Sequence, residues 1–133
     1  MKIINSKTIH PSVRELLSFA TSDFKVDLEY QMYLKSLNRK LYCFELQEEI
    51  IGCIGIEIIS FNECVIKHIA VSSEHRGKGI GSRMIEFLSE EFTLITAETD
   101  KDAVDFYRKY GFSITSLGEK YPGVERFLCD YIT

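Results

Sequence analysis

The chain has 133 residues, enough for one domain and too few for a second that folds independently, so residues 1–133 are expected to form a single domain. Hydrophobic residues make up 45% and charged residues 27%, which excludes the apolar-poor composition of disordered chains. A formal net charge of −4 offers no general attraction for phosphate backbones or anionic lipid; nucleic acid and membrane are not expected as partners, and an amine-bearing one fits better.

The opening MKIINSKTIH carries no apolar run of signal-peptide length, so a cytoplasmic protein is expected. The longest apolar stretch, Ile50 to Ile56, falls well short of the roughly 20 residues that span a bilayer. After Ile3 and Ile4, Pro11 suits the first turn of a helix whose apolar positions are Val13, Leu16, Leu17 and Ala20. Val26, Tyr30, Tyr33 and Leu37 recur at helical spacing and Asn38 closes a second helix. Residues 41–46 and 50–60 are rich in strand formers and read as a hairpin across Gln47, Glu48 and Glu49.

A turn at Phe61 to Glu63 leads into CVIKHIAVS, residues 64–72, apolar enough for a central strand. A glycine-rich turn follows, then a helix from Ile80 through Met84, Phe87 and Leu88 to near Glu91, and a strand from Phe92 to Ala97. Ala103, Phe106, Tyr107 and Tyr110 form the stripe of a further helix, started by Asp100 and stopped by Gly111. Residues 112–117 and 125–132 read as closing strands. The expected fold class is α/β, a sandwich of about seven strands with about four helices on its two faces.

The cysteines Cys43, Cys53, Cys64 and Cys129 form no C-x-x-C pair, and His10, His68 and His75 are scattered, so no metal site or disulfide framework is expected. Each cysteine lies in a strand-like apolar run, the setting of an inert buried thiol. The densest chemical signal is RGKGIG, residues 76–81, between a buried strand and an amphipathic helix. Its glycines allow positive φ and close backbone approach, the helix start presents unpartnered N–H groups, and Arg76 and Lys78 add charge; a pyrophosphate is the expected guest. A dinucleotide loop, G-x-G-x-x-G, would need its last glycine where Ser82 stands, although Glu98 lies about 20 residues downstream as that motif asks. A P-loop fails because Lys78 is followed by Gly79.

The run IAVSSEHRGKGIGSRMIEFL, residues 69–88, resembles the acetyl-CoA signature of the GNAT N-acetyltransferase superfamily, Q/R-x-x-G-x-G/A, and DKDAVDFYRKYGF, residues 100–112, resembles the family's next motif. The resemblance implies a mixed, mostly antiparallel sheet. It also implies acetyl transfer from acetyl-CoA, without a metal, to a primary amine of a small molecule or peptide by direct attack. Ile69, Ala70 and Val71 would offer backbone groups to the pantetheine arm. Arg76, Gly77, Lys78, Gly79, Ile80, Gly81 and Ser82 would hold the pyrophosphate, and backbone N–H groups near Val71 would face the developing oxyanion.

Tyr107 would stand by the thioester sulfur as general acid; the alternative for its ring is plain packing on the buried stripe. Asp100 stands where the family commonly has an asparagine that contacts the cofactor arm. A carboxylate accepts but does not donate, so Asp100 is either a contact of that arm or only a helix cap. For the general base, Glu98 leads, with Glu57 and His68 as further candidates on neighbouring strands. Glu45, Glu48, Glu49, Glu57 and Glu63 read as an acidic hairpin region that favours a cationic acceptor, or else as a solvated edge. The rival from another class is a catalytically silent acyl-CoA-binding sensor or interaction domain. The acceptor's identity and the oligomeric state, a homodimer included, stay open.

Overall fold

The computed structural model describes the whole chain, Met1–Thr133. Its elements run β1 (Lys2–Ile3), α1 (Pro11–Ala20), α2 (Val26–Lys35), β2 (Arg39–Leu46), β3 (Glu49–Ser60), β4 (Glu63–Val71), α3 (Ile80–Ser89), β5 (Leu94–Asp100), α4 (Val104–Tyr110), β6 (Ser113–Tyr121) and β7 (Val124–Ile132). Short 3-10 turns occupy Asp23–Lys25 and Ser73–His75. One seven-stranded sheet has the order β1-β2-β3-β4-β5-β7-β6. Only β4 and β5 are parallel, with α3 as their crossover; every other neighbouring pair is antiparallel.

The sheet separates two apolar cores. On one face Ile80, Met84, Ile85 and Leu88 of α3 and Val104 and Tyr107 of α4 pack on Ile54, Ile56, Cys64, Ile66, Ile95 and Cys129. On the other, Val13, Leu16 and Leu17 of α1 and Val26, Tyr30 and Tyr33 of α2 cover Leu41, Cys53 and Ala70. Each such buried aliphatic side chain contributes roughly 1.5 to 3 kcal/mol. α1 starts on Pro11, and the ring nitrogen of His10 accepts from the Ser12 N–H at 3.0 Å, which satisfies one orphan donor of its first turn.

Several boundaries differ from the sequence expectation. α2 stops at Lys35, so Leu37 lies beyond it and is fully exposed, and Ala20, the last residue of α1, is exposed although it shares the face of Val13, Leu16 and Leu17. β5 continues through Glu98 to Asp100 because β7 pairs with it as far as Asp100↔Arg126; a polar segment becomes strand through its ladder partner. β6 runs past residue 117 to Tyr121, with Gly118 at φ 79° where the register against β7 shifts. The β2–β3 hairpin turns tightly on Gln47 and Glu48, both at positive φ (51° and 68°), without a glycine.

Candidate active site

The site begins with a slip in register. Gly55 pairs with His68 and Ile56 with Ile66, which leaves Lys67 without a partner on β3. This bulge re-aims β4: Cys64 and Ile66 face the α3/α4 core, whereas His68 and Ala70 turn to the α1/α2 side. On its other edge β4 pairs with β5 only up to Ile66↔Ala97, although β4 runs on to Val71 and β5 to Asp100. The two parallel strands therefore fork in the middle of the sheet.

Strand alternation identifies the backbone groups that line the fork. The Ser72 N–H donates to the Ile51 carbonyl of β3 at 2.8 Å, so the N–H and C=O groups of Val71 and Ile69 face the opposite, open edge. Ala70 departs from the sequence expectation: its backbone faces β3, opposite Cys53, and its side chain lies under α1 and α2. Arg76 folds back over the fork, Nε donating to the Val71 carbonyl at 3.0 Å while the guanidinium stacks 4.8 Å from the Phe19 ring centroid. That clasp joins the loop to α1.

Beyond the fork, the glycine loop fits an anion. Gly77 and Gly79 have φ of 76° and 81°, and a Cβ on either would meet nothing within 4 Å. Gly79 is the N-cap of α3, with no side chain to cap the first N–H groups, which stay available for a ligand. A groove of about 440 Å³ opens there, lined by Gly77, Gly79, Gly81 and Ser82 on one side and Phe106, Lys109 and Tyr110 of α4 on the other. The α4 side was missed in the sequence; its signal was the 3, 4 spacing of those three residues, one face of a helix. Lys78 is exposed beside the groove, and Ile80 turns its side chain into the core. Gly81 serves another purpose, since a Cβ there would lie 2.9 Å from the Phe106 ring; glycine lets α3 and α4 approach.

Tyr107 is only 4% exposed, its ring set edge-on between Phe106 and Phe112. Burial pushes its pKa far above the ordinary tyrosine value, with no hydrogen bond opposing that shift. No fully enclosed side-chain nitrogen or oxygen in the chain lacks a partner, so the unbonded hydroxyl touches accessible space. Asp100 does not cap α4, whose N-cap is Ala103 with no side-chain cap bond; its Oδ1 accepts from the N–H groups of Asp102 and Ala103, both at 3.0 Å, and so fixes the turn that precedes the helix.

Glu98 is less suited to act as a base than the sequence implied. Its carboxylate binds Lys120 Nζ at 3.1 Å and Arg126 Nε at 3.5 Å, and the Lys120 hydrogen bond leads the causes that hold its pKa below the usual range. The acidic hairpin region is also no cluster. Glu48 and Glu49 lie at the β2–β3 turn and Glu45 pairs with Lys2, while Glu57 and Glu63 sit at the far end, Glu57 held by Arg39 and Lys67. All four cysteines are buried and unpaired; burial pushes the Cys53 and Cys64 thiols up to about 12, which removes them as nucleophiles at neutral pH. No group of three or more His, Cys, Asp or Glu is placed to hold a metal, and no helix is long and apolar enough to cross a membrane.

A forked parallel strand pair leading to an uncapped, glycine-opened helix start gives an open backbone edge in the middle of the sheet that ends on N–H groups suited to an anion. The comparisons give that arrangement its family. Residues 38–114 match the model of the acetyltransferase (GNAT) domain. An uncharacterized N-acetyltransferase of Bacillus methanolicus is 31% identical over 93 residues, 68% of this chain and 78% of the relative. The streptothricin acetyltransferase of Escherichia coli is 34% identical over 80 residues, 54% of this chain and 46% of that protein. Among solved structures, a GNAT family acetyltransferase from Elizabethkingia anophelis with acetyl-CoA bound superposes with a TM-score of 0.74 at 24% identity, covering 98% of this chain and 95% of that one. The chain belongs to the GNAT acetyltransferase family and has its α/β fold.

Proposed function

We propose that this single domain transfers the acetyl group of acetyl-CoA to a primary amine in the cytosol, by direct attack within a ternary complex. The fork carries the reading: Ile69 and Val71 present backbone groups to an open edge that continues into the glycine-lined groove. The extended arm of acetyl-CoA would lie along that edge, and its pyrophosphate would take the free N–H groups at the start of α3, with Gly77, Gly79 and Ser82 around it. The Val71 N–H is available to the negative charge that develops on the thioester carbonyl oxygen. Tyr107 would supply a proton to the departing sulfur; burial keeps its hydroxyl protonated throughout the neutral range and also makes it a weaker acid, so the proton has to move as the C–S bond breaks and charge builds on the sulfur. The streptothricin relative, by its name, favours a small-molecule acceptor over a peptide.

The test is turnover of acetyl-CoA across a panel of primary amines with detection of the free thiol. The expected result is amine-dependent thiol release and an acetylated product of matching mass. Calorimetric binding of acetyl-CoA with no product from any amine would instead establish a silent acyl-CoA-binding domain.

A further inference from the structure

Tyrosines and cysteines apart, His68 is the one buried polar side chain of the protein, 8% exposed, and it stands where β4 parts from β5. Helix α2 holds it from above. Tyr33 Oη lies 2.5 Å from His68 Nδ1, and the two rings meet edge to face at 5.6 Å. Gly55 makes room for this contact, since a Cβ there would fall 2.0 Å from Tyr33 Oη. Across the imidazole, Nε2 faces Glu29 Oε2 at 4.0 Å. A carboxylate on that side favours the tautomer protonated at Nε2, so Nδ1 is left to accept from the Tyr33 O–H.

Burial lowers the His68 pKa and raises that of Tyr33, so both side chains are neutral at neutral pH. Two of the base candidates weighed from the sequence, Glu57 and Glu98, lie on the same side of the sheet as Glu29. Glu57 is held by Arg39 at 3.4 Å and Lys67 at 3.9 Å, and Glu98 by Lys120 and Arg126. Glu29 meets one cation, Arg39 at 3.6 Å, and otherwise a neutral imidazole, with its side chain 22% exposed. Of the three it has the fewest cationic partners, and it keeps some contact with solvent.

We propose that Glu29 takes the proton released by the acceptor amine, and that His68 and Tyr33 are positioning residues that hold it beside the fork. This rests on the acetyl-transfer reading above. The amine lone pair forms the new C–N bond as the C–S bond breaks. One N–H bond of the amine breaks, its proton passing to a Glu29 oxygen directly or through one water. The C–S electron pair leaves on the sulfur, which is protonated by Tyr107.

The test uses the full chain, acetyl-CoA and the primary alkylamine turned over fastest in the panel. Glu29→Gln is expected to lose roughly 10²- to 10⁴-fold in kcat at neutral pH, with acetyl-CoA affinity unchanged, and to recover as rising pH supplies hydroxide to take the same N–H proton. Glu29→Asp should restore part of the rate. On the free protein, imidazole ¹⁵N NMR is expected to give Nε2 protonated and Nδ1 bare, and Tyr33→Phe should move the Nδ1 resonance while lowering kcat less than Glu29→Gln. A wild-type kcat–pH profile in Glu29→Gln, or an Nδ1-protonated His68, would overturn this assignment while leaving acetyl transfer intact. A wild-type chain that acetylates no amine would overturn the acetyl-transfer reading and this assignment together.

Discussion

Tyr107→Phe separates chemistry from packing more cleanly than most tyrosine substitutions. Usually the lost hydroxyl also costs a structural hydrogen bond of roughly 0.5 to 1.5 kcal/mol. Here the hydroxyl has no partner in the protein, and the ring contacts with Phe106 and Phe112 survive in phenylalanine. The melting temperature should therefore stay within about 2 °C of wild type, since a 1 kcal/mol loss in a domain of this size moves it by roughly 3 to 5 °C. A general acid, by contrast, contributes roughly 10²- to 10⁴-fold, about 3 to 5 kcal/mol of barrier, and the loss should appear in kcat with acetyl-CoA affinity preserved.

A second readout comes from alkali. Burial raises the folded-state pKa of Tyr107 above its unfolded value near 10, so its contribution to stability is complete below that pH and is lost as pH rises toward the folded pKa. The phenylalanine variant has no such group and should resist alkaline unfolding better than wild type. Both measurements belong on one preparation: kcat with acetyl-CoA and the best panel amine, and thermal melts at neutral and strongly alkaline pH. Normal kcat in a folded variant would remove Tyr107 from the reaction and leave the thiolate to solvent.

Gly79→Ala and Gly81→Ala should fail differently. At φ 81° the first adds strain of about 1 to 2 kcal/mol and puts a methyl group beside the groove, weakening acetyl-CoA in calorimetry; the second meets the Phe106 ring and should lower stability by about 1 to 3 kcal/mol, with partial rescue by Phe106→Leu. Serine at any one cysteine should leave kcat within a few-fold in the folded fraction, and intact-mass analysis after mixing with acetyl-CoA alone should find no acetyl-enzyme. Because burial depresses the folded-state pKa of His68, its contribution to stability is present above the unfolded value near 6.5 and is lost as pH falls through the folded pKa; melts between neutral pH and about pH 5 should show that loss, and His68→Gln should flatten it. Glu48→Gly, at φ 68° in the hairpin turn, should raise stability by about 1 kcal/mol, read as a higher melting temperature.

What could be read from the sequence was local. Val13, Leu16 and Leu17 repeat within one helix, RGKGIG spans six consecutive residues, and Asp100 acts on residues two and three positions ahead, so their physics lies inside a short window. The base candidates lie outside any such window. Glu98 is neutralised by Lys120 and Arg126, 22 and 28 residues away, and nothing near it in the chain announces either cation. His68 is bonded to Tyr33, 35 residues distant on another element. Glu45 and Glu57 look close in sequence, yet a hairpin strand at roughly 3.3 Å per residue carries them to opposite ends of the sheet.

The glycines carry the same distinction further. Gly77, Gly79 and Gly81 form one visual motif, and only the first two have the positive φ and open space that a ligand-facing loop needs. Gly81 answers to Phe106 on the next helix, and Gly55, outside the motif, answers to Tyr33. A glycine opened toward a ligand and one closed by a neighbouring ring look alike in a one-dimensional pattern, because both record only that a Cβ is missing. They differ in what surrounds the Cα: open space at Gly77 and Gly79, an aromatic ring at Gly81 and Gly55. Gly55 is therefore tied to the Tyr33–His68 pair as closely as Gly81 is to Phe106, since alanine at 55 would drive Tyr33 off His68.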